Sequence, residues 1–282
     1  VDEKDRSSMQ NTLYETAKSV LRLKEEMSFY FNVEVPMMWT DILKGYGDTS
    51  VKSYQEVTSF KQVTASLKTF ADMYKTPVVM FKEAIEHTLR IVRVMRQPSG
   101  HMLLVGMGGT GKRTSARFAA FVSEIEIFEP QPTKDYKLLD FRNDLKVLFK
   151  AAGVQNRKVM FLLTDEQIVD ESFLEDINNV LNTGDVPGLF ETEEFDQMIN
   201  DLLVPQMKKA GESLAYDSLC RKFTSNVMNN LHVVLALSPV GGRFRDRCRI
   251  FPALVNCCTI DWFEPWPTTA LETVAHEFIG KM

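Results

Sequence analysis

The chain has 282 residues, of which 44% are apolar and 25% are charged, and its 33 basic and 38 acidic side chains give a net charge of −5. This composition is typical of a globular protein and excludes a disordered chain, a collagen-like fibre and a disulfide-stabilised miniprotein. The mild acidity gives no support to nucleic-acid binding, and no apolar run approaches the roughly 18 residues that a membrane span requires. We therefore expect neither a nucleic acid nor a membrane as a partner.

The first part of the chain carries helical rather than strand signals. Apolar residues recur at helical spacing in two stretches, represented by Leu13, Ala17 and Val20, and by Val63, Leu67 and Phe70. The stretch between them is irregular, and we expect Trp39 to anchor it. Because the chain starts at Val1 with no signal-peptide pattern, we expect it to be a piece of a longer polypeptide.

A further amphipathic helix carries Phe81, Ile85 and Leu89 on one face, and after Gly100 short apolar runs alternate with longer helical patterns. Strands are predicted at 102–105, 125–128, 159–163, 232–237 and 257–260, and helices at 111–122, 138–152, 171–182, 195–210, 216–229 and 242–249. Continuous apolar runs are typical of strands that are covered on both faces. The pattern predicts a doubly wound α/β domain over roughly 98–265, followed by one more helix.

A glycine-rich loop between the first of these strands and the next helix is the strongest signal for function. It reads G-x-x-x-x-G-K and contains Gly106, Gly108, Gly109, Thr110, Gly111 and Lys112. Glycines let successive backbone N–H groups face one anion, and the helix N-terminus adds a favourable dipole. Lys112 would place its positive charge on the β- and γ-phosphates of a nucleotide. The alternative interpretation is a tight glycine turn that merely ends a strand.

The position after the lysine departs from the usual pattern. A P-loop normally has Ser or Thr there, whose hydroxyl ligates Mg²⁺, whereas this chain has Arg113. A guanidinium cannot ligate a cation and should repel it, and Thr114 lies about 100° further around the helix. We therefore predict nucleotide binding with impaired metal positioning and slow hydrolysis.

Polar residues follow two other predicted strands. Asp165 and Glu166 end the run that begins at Val159, which is the Walker B pattern. Asp165 would hold Mg²⁺ through a water molecule, as is usual in such sites, and Glu166 would polarise the attacking water. Ser238 ends the next strand and could contact the γ-phosphate or that water. For Ser238 the alternative is a strand that simply ends at a turn.

Arginines, cysteines and histidines complete the candidates. Arg243, Arg245, Arg247 and Arg249 cluster before the last strand, where an arginine can reach a neighbour's γ-phosphate or lie on a solvated helix face. The four cysteines have no CxxC spacing and are interpreted as reduced thiols, and the four scattered histidines are given no zinc or catalytic role.

Taken together, these motifs resemble an AAA+ ATPase, and four stretches resemble the fourth AAA+ module of the dynein heavy chain motor ring. They lie at 81–87, 106–112, 172–179 with 184–190, and 238–241 through 251–262, and they include Val-Pro-Gly-Leu-Phe and Asn-Cys-Cys-Thr-Ile-Asp-Trp. The resemblance covers roughly residues 75–282 and is closer to axonemal than to cytoplasmic heavy chains. It implies a P-loop NTPase (AAA+) fold, a three-layer α/β/α domain with a five-stranded parallel sheet, preceded by an α-helical segment.

The resemblance also implies a division of the chain and a set of ligands. Residues 1–75 would be the end of the preceding module plus a linker, 76–267 the large nucleotide-binding subdomain, and 268–282 the start of the small lid. The ligands would be ATP or ADP with Mg²⁺, with adenine packed near Pro77, Val78 and Val79. Arg247 or Arg249 would serve the neighbouring module's site. Many axonemal relatives lack the glutamate that this chain retains at position 166.

The implied function is a regulatory nucleotide site in an ATP-driven microtubule motor, with weak ATPase activity of its own. The implied partners are the neighbouring AAA+ modules, the microtubule only indirectly through the stalk, and dynein intermediate and light chains through the rest of the heavy chain. The implied location is cytoplasmic, at the axoneme of a cilium or flagellum. Two alternatives stay open: a structural ring segment with a non-functional nucleotide site, and a free-standing AAA+ remodelling ATPase.

Overall fold

A computed structural model of the chain describes residues 3–21, 38–47, 53–57 and 59–279. The chain divides into two compact units, Val1–Thr69 and Phe70–Met282. Residues 22–37 of the predicted helical segment and residues 280–282 of the predicted lid lie outside the described residues. The predicted boundaries after residues 75 and 267 stay predictions.

The first unit contains the helix α1 (Glu3–Leu21), two short strands, β1 (Trp39–Thr40) and β2 (Gln55–Glu56), and the start of α2 (Phe60–Met73). The two strands form an antiparallel pair that the sequence did not predict. Trp39 is 48% exposed while Thr40 is 2% exposed, so the expectation that Trp39 anchors this stretch is wrong. Successive side chains of a strand point to opposite faces, and here the buried face belongs to Thr40.

The second unit alternates strands and helices as predicted. In chain order its elements are α3 (Lys82–Met95), β3 (Met102–Gly106), α4 (Lys112–Ser123), β4 (Glu126–Phe128), α5 (Leu138–Phe149), β5 (Val159–Thr164), α6 (Ser172–Thr183), α7 (Thr192–Met198), α8 (Val204–Ala210), α9 (Tyr216–Asn230), β6 (Leu231–Leu237), α10 (Arg243–Ile250), α11 (Ala253–Asn256), β7 (Thr259–Phe263) and α12 (Thr268–Ile279). The last strand begins two residues later than predicted, because Cys257 and Cys258 lie in the turn that follows α11.

The five strands of this unit form one sheet in the order β4-β5-β6-β3-β7, and every neighbouring pair is parallel. Helices cover both faces. On one face α4 contacts β3, β5 and β6, and α3 contacts α4 and β7. On the other face Leu103, Val105 and Phe161 belong to a core that also includes Phe141 of α5 and Phe223 of α9. The predicted three-layer α/β/α fold with a five-stranded parallel sheet is confirmed.

Two predicted helices are interrupted by a π-helical turn. The helix predicted at 138–152 ends as a π turn over Lys150–Val154, where a Cβ on Gly153 would lie 2.5 Å from the ring of Phe223. This close approach of α9 requires glycine. The helix predicted at 195–210 is interrupted at Ile199–Leu203. Pro205 follows, and a proline in a continuous α-helix cannot donate its backbone hydrogen bond.

The carboxyl ends of β3, β5 and β6 lie at one edge of the sheet. In register, Val105 of β3 pairs with Leu237 of β6, and Leu163 of β5 pairs with Leu235. The segments that follow these three strands are therefore neighbours, and they carry the predicted site residues. None of the helices in the described part of the chain is long and apolar enough to cross a membrane.

Candidate nucleotide-binding site

The glycine-rich loop runs from the end of β3 to the start of α4. Glycine is required in it for two different reasons, a left-handed backbone conformation and a close approach of another strand. Gly109 and Gly111 adopt φ angles of 81° and 88°, in the left-handed region that favours glycine. Gly106 is needed for a different reason, because a Cβ there would lie 2.5 Å from the backbone oxygen of Phe263 on β7. Gly108 is exposed, and a Cβ there would meet no atom within 4 Å.

Lys112 lies inside the loop rather than extending into solvent. Its Nζ donates to the backbone oxygens of Gly106 at 2.6 Å and Met107 at 2.7 Å. The hydroxyl of Thr110 donates to the same Met107 oxygen at 2.9 Å. Burial lowers the pKa of Lys112, while Asp165 acts in the opposite direction. The ammonium group therefore lies beside the loop, where a bound phosphate could replace the two carbonyl acceptors.

Arg113 and Glu166 lie together, which the sequence did not predict. Nη2 of Arg113 donates to Oε2 of Glu166 at 3.2 Å, although the two residues are 53 positions apart. Their side chains are 44% and 84% exposed, so the pair contributes only about 0–1 kcal/mol to stability. Its importance is chemical: the residue that replaces the metal-binding hydroxyl contacts the residue expected to polarise water. Thr114, one position further along α4, is exposed.

Asp165 is engaged through both of its carboxylate oxygens. Oδ1 accepts from Nη1 of Arg247 at 2.8 Å, and Oδ2 accepts from the backbone N–H of Ser238 at 2.6 Å. The main chain of Ser238 thus makes the contact between the ends of β5 and β6. Its hydroxyl accepts a long hydrogen bond of 3.4 Å from the backbone N–H of Val240.

Arg247 is only 5% exposed and faces its own domain. Besides Asp165 it binds Glu171, through Nε to both carboxylate oxygens at 3.1 Å and through Nη2 to Oε1 at 2.8 Å. Burial lowers the pKa of Arg247, but the two carboxylates more than offset this and the pKa is raised. Arg247 therefore makes its contacts within the chain, and its assignment to a neighbouring module's site stays a prediction. Arg249 lies on the exposed side of α10.

The turn after β5 is held by a residue that sequence reasoning missed. Gln167 accepts the backbone N–H of Thr164 at 2.8 Å through Oε1, and donates to the backbone oxygen of Pro130 at 2.7 Å through Nε2. These two bonds fix the short 3₁₀ turn Asp165–Gln167 that carries both acidic residues. The signal in the sequence that could have identified Gln167 is its polar side chain directly after the Asp-Glu pair.

Trp266 is a second residue that the sequence did not reveal. Its indole N–H donates to the backbone oxygen of Thr110 at 3.0 Å, and its ring lies 3.4 Å from where a Cβ on Gly111 would be. Phe81 packs edge-on against the same indole, with 5.1 Å between ring centroids. The predicted adenine-binding residues lie shortly before Phe81, with Pro77 exposed and Val78 and Val79 half-buried.

Comparison with known proteins identifies the family of the chain. A family model described as the P-loop containing dynein motor region D4 matches residues 76–282. The chain belongs to this family. Dynein axonemal heavy chain 6 of Homo sapiens is 38% identical over 289 residues, which cover 100% of the chain and 7% of the relative. Dynein axonemal heavy chain 3 of Homo sapiens is 38% identical over 294 residues, covering 99% of the chain and 7% of the relative.

The Dynein-1-beta heavy chain of the flagellar inner arm I1 complex from Chlamydomonas reinhardtii is 49% identical over 200 residues, which cover 71% of the chain and 4% of the relative. The chain thus spans only a small part of the curated relatives it matches. These matches confirm the predicted resemblance to the dynein heavy chain and place the chain in the AAA+ motor region. Gly106 to Lys112 lie within the matched residues.

The donor set of a dynein AAA+ site can be compared with what Mg²⁺ requires. Mg²⁺ takes oxygen ligands in octahedral geometry, and in P-loop proteins they include a hydroxyl after the lysine and a Walker B carboxylate. Here the first position is Arg113, and the carboxylate of Asp165 is paired with Arg247. The residues present do not fit the ion.

Proposed function

We propose that the chain is a regulatory nucleotide-binding AAA+ module of a dynein heavy chain, which binds ATP or ADP and hydrolyses it slowly or not at all. The observation that carries the proposal is the contact between Arg113 and Glu166 directly beside a P-loop with an intact lysine. The loop supports binding, and the contact opposes hydrolysis.

Binding is supported by the conformation of the loop and the charge at its end. The left-handed glycines turn the backbone into a nest at the N-terminus of α4, where N–H groups and the helix dipole favour an anion. We assign binding of the phosphates to this loop and binding of the adenine to the segment before α3. The residues that follow β5 and β6 are assigned to the side of the site that faces the γ-phosphate. The phosphate residues are Gly106, Gly108, Gly109, Thr110, Gly111, Lys112, Arg113 and Thr114, the adenine residues are Pro77, Val78 and Val79, and the edge residues are Asp165, Glu166 and Ser238.

Slow hydrolysis follows from the electrostatics around Glu166. A general base must be free to accept a proton from water, and the hydrogen bond from Arg113 engages one carboxylate oxygen of Glu166. Arg113 therefore acts against Glu166 as well as against a metal. Arg113 departs from the usual P-loop hydroxyl and opposes hydrolysis, the retained Glu166 departs from many axonemal relatives and favours it, and the two residues meet in a single contact.

The wider role rests on the relatives. The curated relatives are axonemal or flagellar dynein heavy chains, and we propose the same setting, the axoneme of a cilium or flagellum, for this chain. In that setting residues 1–75 would complete the preceding module, 76–267 would form the large subdomain and 268–282 would begin the lid. Neighbouring modules would be its direct partners, Arg249 would face one of them, and microtubules and the intermediate and light chains would be reached through other parts of the heavy chain.

Titration of the chain with a fluorescent ADP analogue tests the binding proposal. We expect saturable binding that weakens at least about tenfold in Lys112→Ala, because a charge-assisted contact to phosphate is lost. Lys209→Ala, an exposed lysine on α8, is the matched control and should leave the affinity unchanged. Circular dichroism checks that each variant is folded. Absence of saturable binding would identify the loop as a structural relic.

Turnover of ATP tests the hydrolysis proposal. Arg113→Thr frees Glu166 and restores a hydroxyl, so we expect its turnover rate to exceed that of the wild type by about tenfold or more. The variant Glu166→Gln in the Arg113→Thr background should abolish the gain. Equal rates in wild type and Arg113→Thr would contradict the role given to Arg113.

A further inference from the structure

A P-loop site normally takes its metal ligands from two positions, and in this chain an arginine replaces the residue at one of them and pairs with the residue at the other. Arg113 stands where the hydroxyl ligand would be, and Arg247 is bonded to the carboxylate of Asp165. The two side chains come from different helices, α4 and α10, and each contacts an acidic residue of the turn that follows β5. We propose that this site binds its nucleotide as the metal-free di- or triphosphate, with arginine charge in place of Mg²⁺.

The inference rests on the nucleotide binding proposed above and names the ionic form of the ligand. The first step is the state of Asp165. Both of its oxygens already accept hydrogen bonds, from a guanidinium at 2.8 Å and from the Ser238 N–H at 2.6 Å. A cation ligated by Asp165 would lie close to the guanidinium of Arg247 and would be repelled by its positive charge.

The second step is that Arg247 is fixed in this position. Its side chain is buried, and Glu171 binds the other edge of the guanidinium through both carboxylate oxygens. A fork held by two carboxylates keeps one orientation, because planar guanidinium groups bind carboxylates with defined geometry. Release of Asp165 would leave a buried guanidinium with one of its two partners.

The third step is the charge beside the phosphates. Lys112 and Arg113 begin α4 together, and the helix N-terminus adds further positive potential. Arg113 can donate to phosphate oxygens as well as to Glu166, since a guanidinium has five N–H donors. A divalent cation in the same space would be repelled by Arg113, whereas the polyphosphate itself is attracted.

The test compares the affinity for fluorescent ADP in excess MgCl₂ with that in EDTA. We expect the Kd in EDTA to equal or fall below the Kd in MgCl₂. Binding that weakens by about tenfold or more in EDTA would overturn the inference while leaving the proposed nucleotide binding intact. Absence of saturable binding in both buffers would overturn both.

A variant assigns the effect to Arg113. In Arg113→Thr, which restores a hydroxyl, we expect the ratio of Kd in EDTA to Kd in MgCl₂ to rise by about tenfold. Arg221→Thr, an exposed arginine on α9, is the matched control and should keep the wild-type ratio. An unchanged ratio in a folded Arg113→Thr protein would overturn the assignment to this arginine.

Discussion

The phosphate side and the carboxylate side of the candidate site are built in different ways. The phosphate side is a single stretch, Gly106 to Lys112, in which the backbone conformation and one lysine form the proposed phosphate-binding surface. The carboxylate side joins side chains from separate elements: Asp165 is 82 positions from Arg247, and Arg113 is 53 positions from Glu166. The first side could be read from a motif, whereas the second exists only once the chain has folded. On the carboxylate side both acidic residues pair with arginines, whereas the Walker B motif alone predicted that they would serve a metal ion and a water molecule.

If the phosphate side depends on backbone fit, the largest loss of stability should follow from a methyl group at Gly106. Gly106→Ala places a Cβ 2.5 Å from the backbone oxygen of Phe263, so β3 and β7 must move apart. We expect the free energy of unfolding to fall by about 3 kcal/mol in urea denaturation. Gly108→Ala, at a position with open space, should change it by no more than about 0.5 kcal/mol. Similar losses in both would show that the strand contact is not the constraint.

On the carboxylate side the largest effect should come from Arg247. Arg247→Ala leaves Asp165 and Glu171 without their shared partner, and we expect a loss of about 2 to 3 kcal/mol in the same measurement. The cost is moderated because both carboxylates are partly exposed to water. Arg249→Ala, on the exposed side of the same helix, should cost no more than about 0.5 kcal/mol. Comparable losses in the two variants would show that the contacts of Arg247 contribute no more to stability than an exposed arginine does.

Acid should weaken the strand that carries the phosphate loop. His101, which precedes β3, is buried and accepts the backbone N–H of Val233 at 3.0 Å through Nδ1. Burial, and secondarily the nearby His232, lowers the pKa of His101 to about 4. Because the unfolded chain takes up this proton near pH 6.5, the stabilisation is complete above that pH and is lost as the pH falls towards 4. Between pH 7 and pH 5 we expect a loss of about 2 kcal/mol from this group.

Chemical denaturation across this pH range measures the loss. His101→Asn keeps a hydrogen-bond acceptor but cannot be protonated, so its stability should depend less steeply on pH. His276→Asn, at an exposed position on α12, should keep the wild-type dependence. Identical pH profiles for His101→Asn and wild type would show that His101 is not the group responsible.

The smallest effect should come from Trp266, which contacts the loop from outside. Trp266→Phe removes the hydrogen bond to the Thr110 oxygen, and we expect ADP to bind about fivefold more weakly, corresponding to about 1 kcal/mol. Trp262→Phe, on the exposed side of β7, is the control and should bind ADP as the wild type does. Intrinsic fluorescence should respond to ADP in the control and lose that response in Trp266→Phe; the reverse pattern would contradict this role.

Much of the architecture was predictable because its signals are local. Four of the five predicted strands fall within one residue of the observed strands, and continuous apolar runs such as Val159 to Leu163 correctly indicated a sheet covered on both faces. The errors occur where a distant contact overrides local pattern. The π turn over Lys150–Val154 contains Gly153, where a Cβ would lie 2.5 Å from the ring of Phe223. In β1 the buried side chain is Thr40 rather than Trp39.

The sequence by itself determined the P-loop, the order of elements and the family, since all three depend on residue types at fixed spacing along the chain. Only the tertiary structure decided that Arg247 faces inward to Asp165, that Arg113 meets Glu166, and that Trp266 covers the loop from 156 positions beyond Thr110. The physical reason is that hydrogen bonds and ion pairs act over a few ångströms in space, and parallel strands bring remote segments to one edge. A spacing rule can name the residues at that edge, but their pairing follows from the fold.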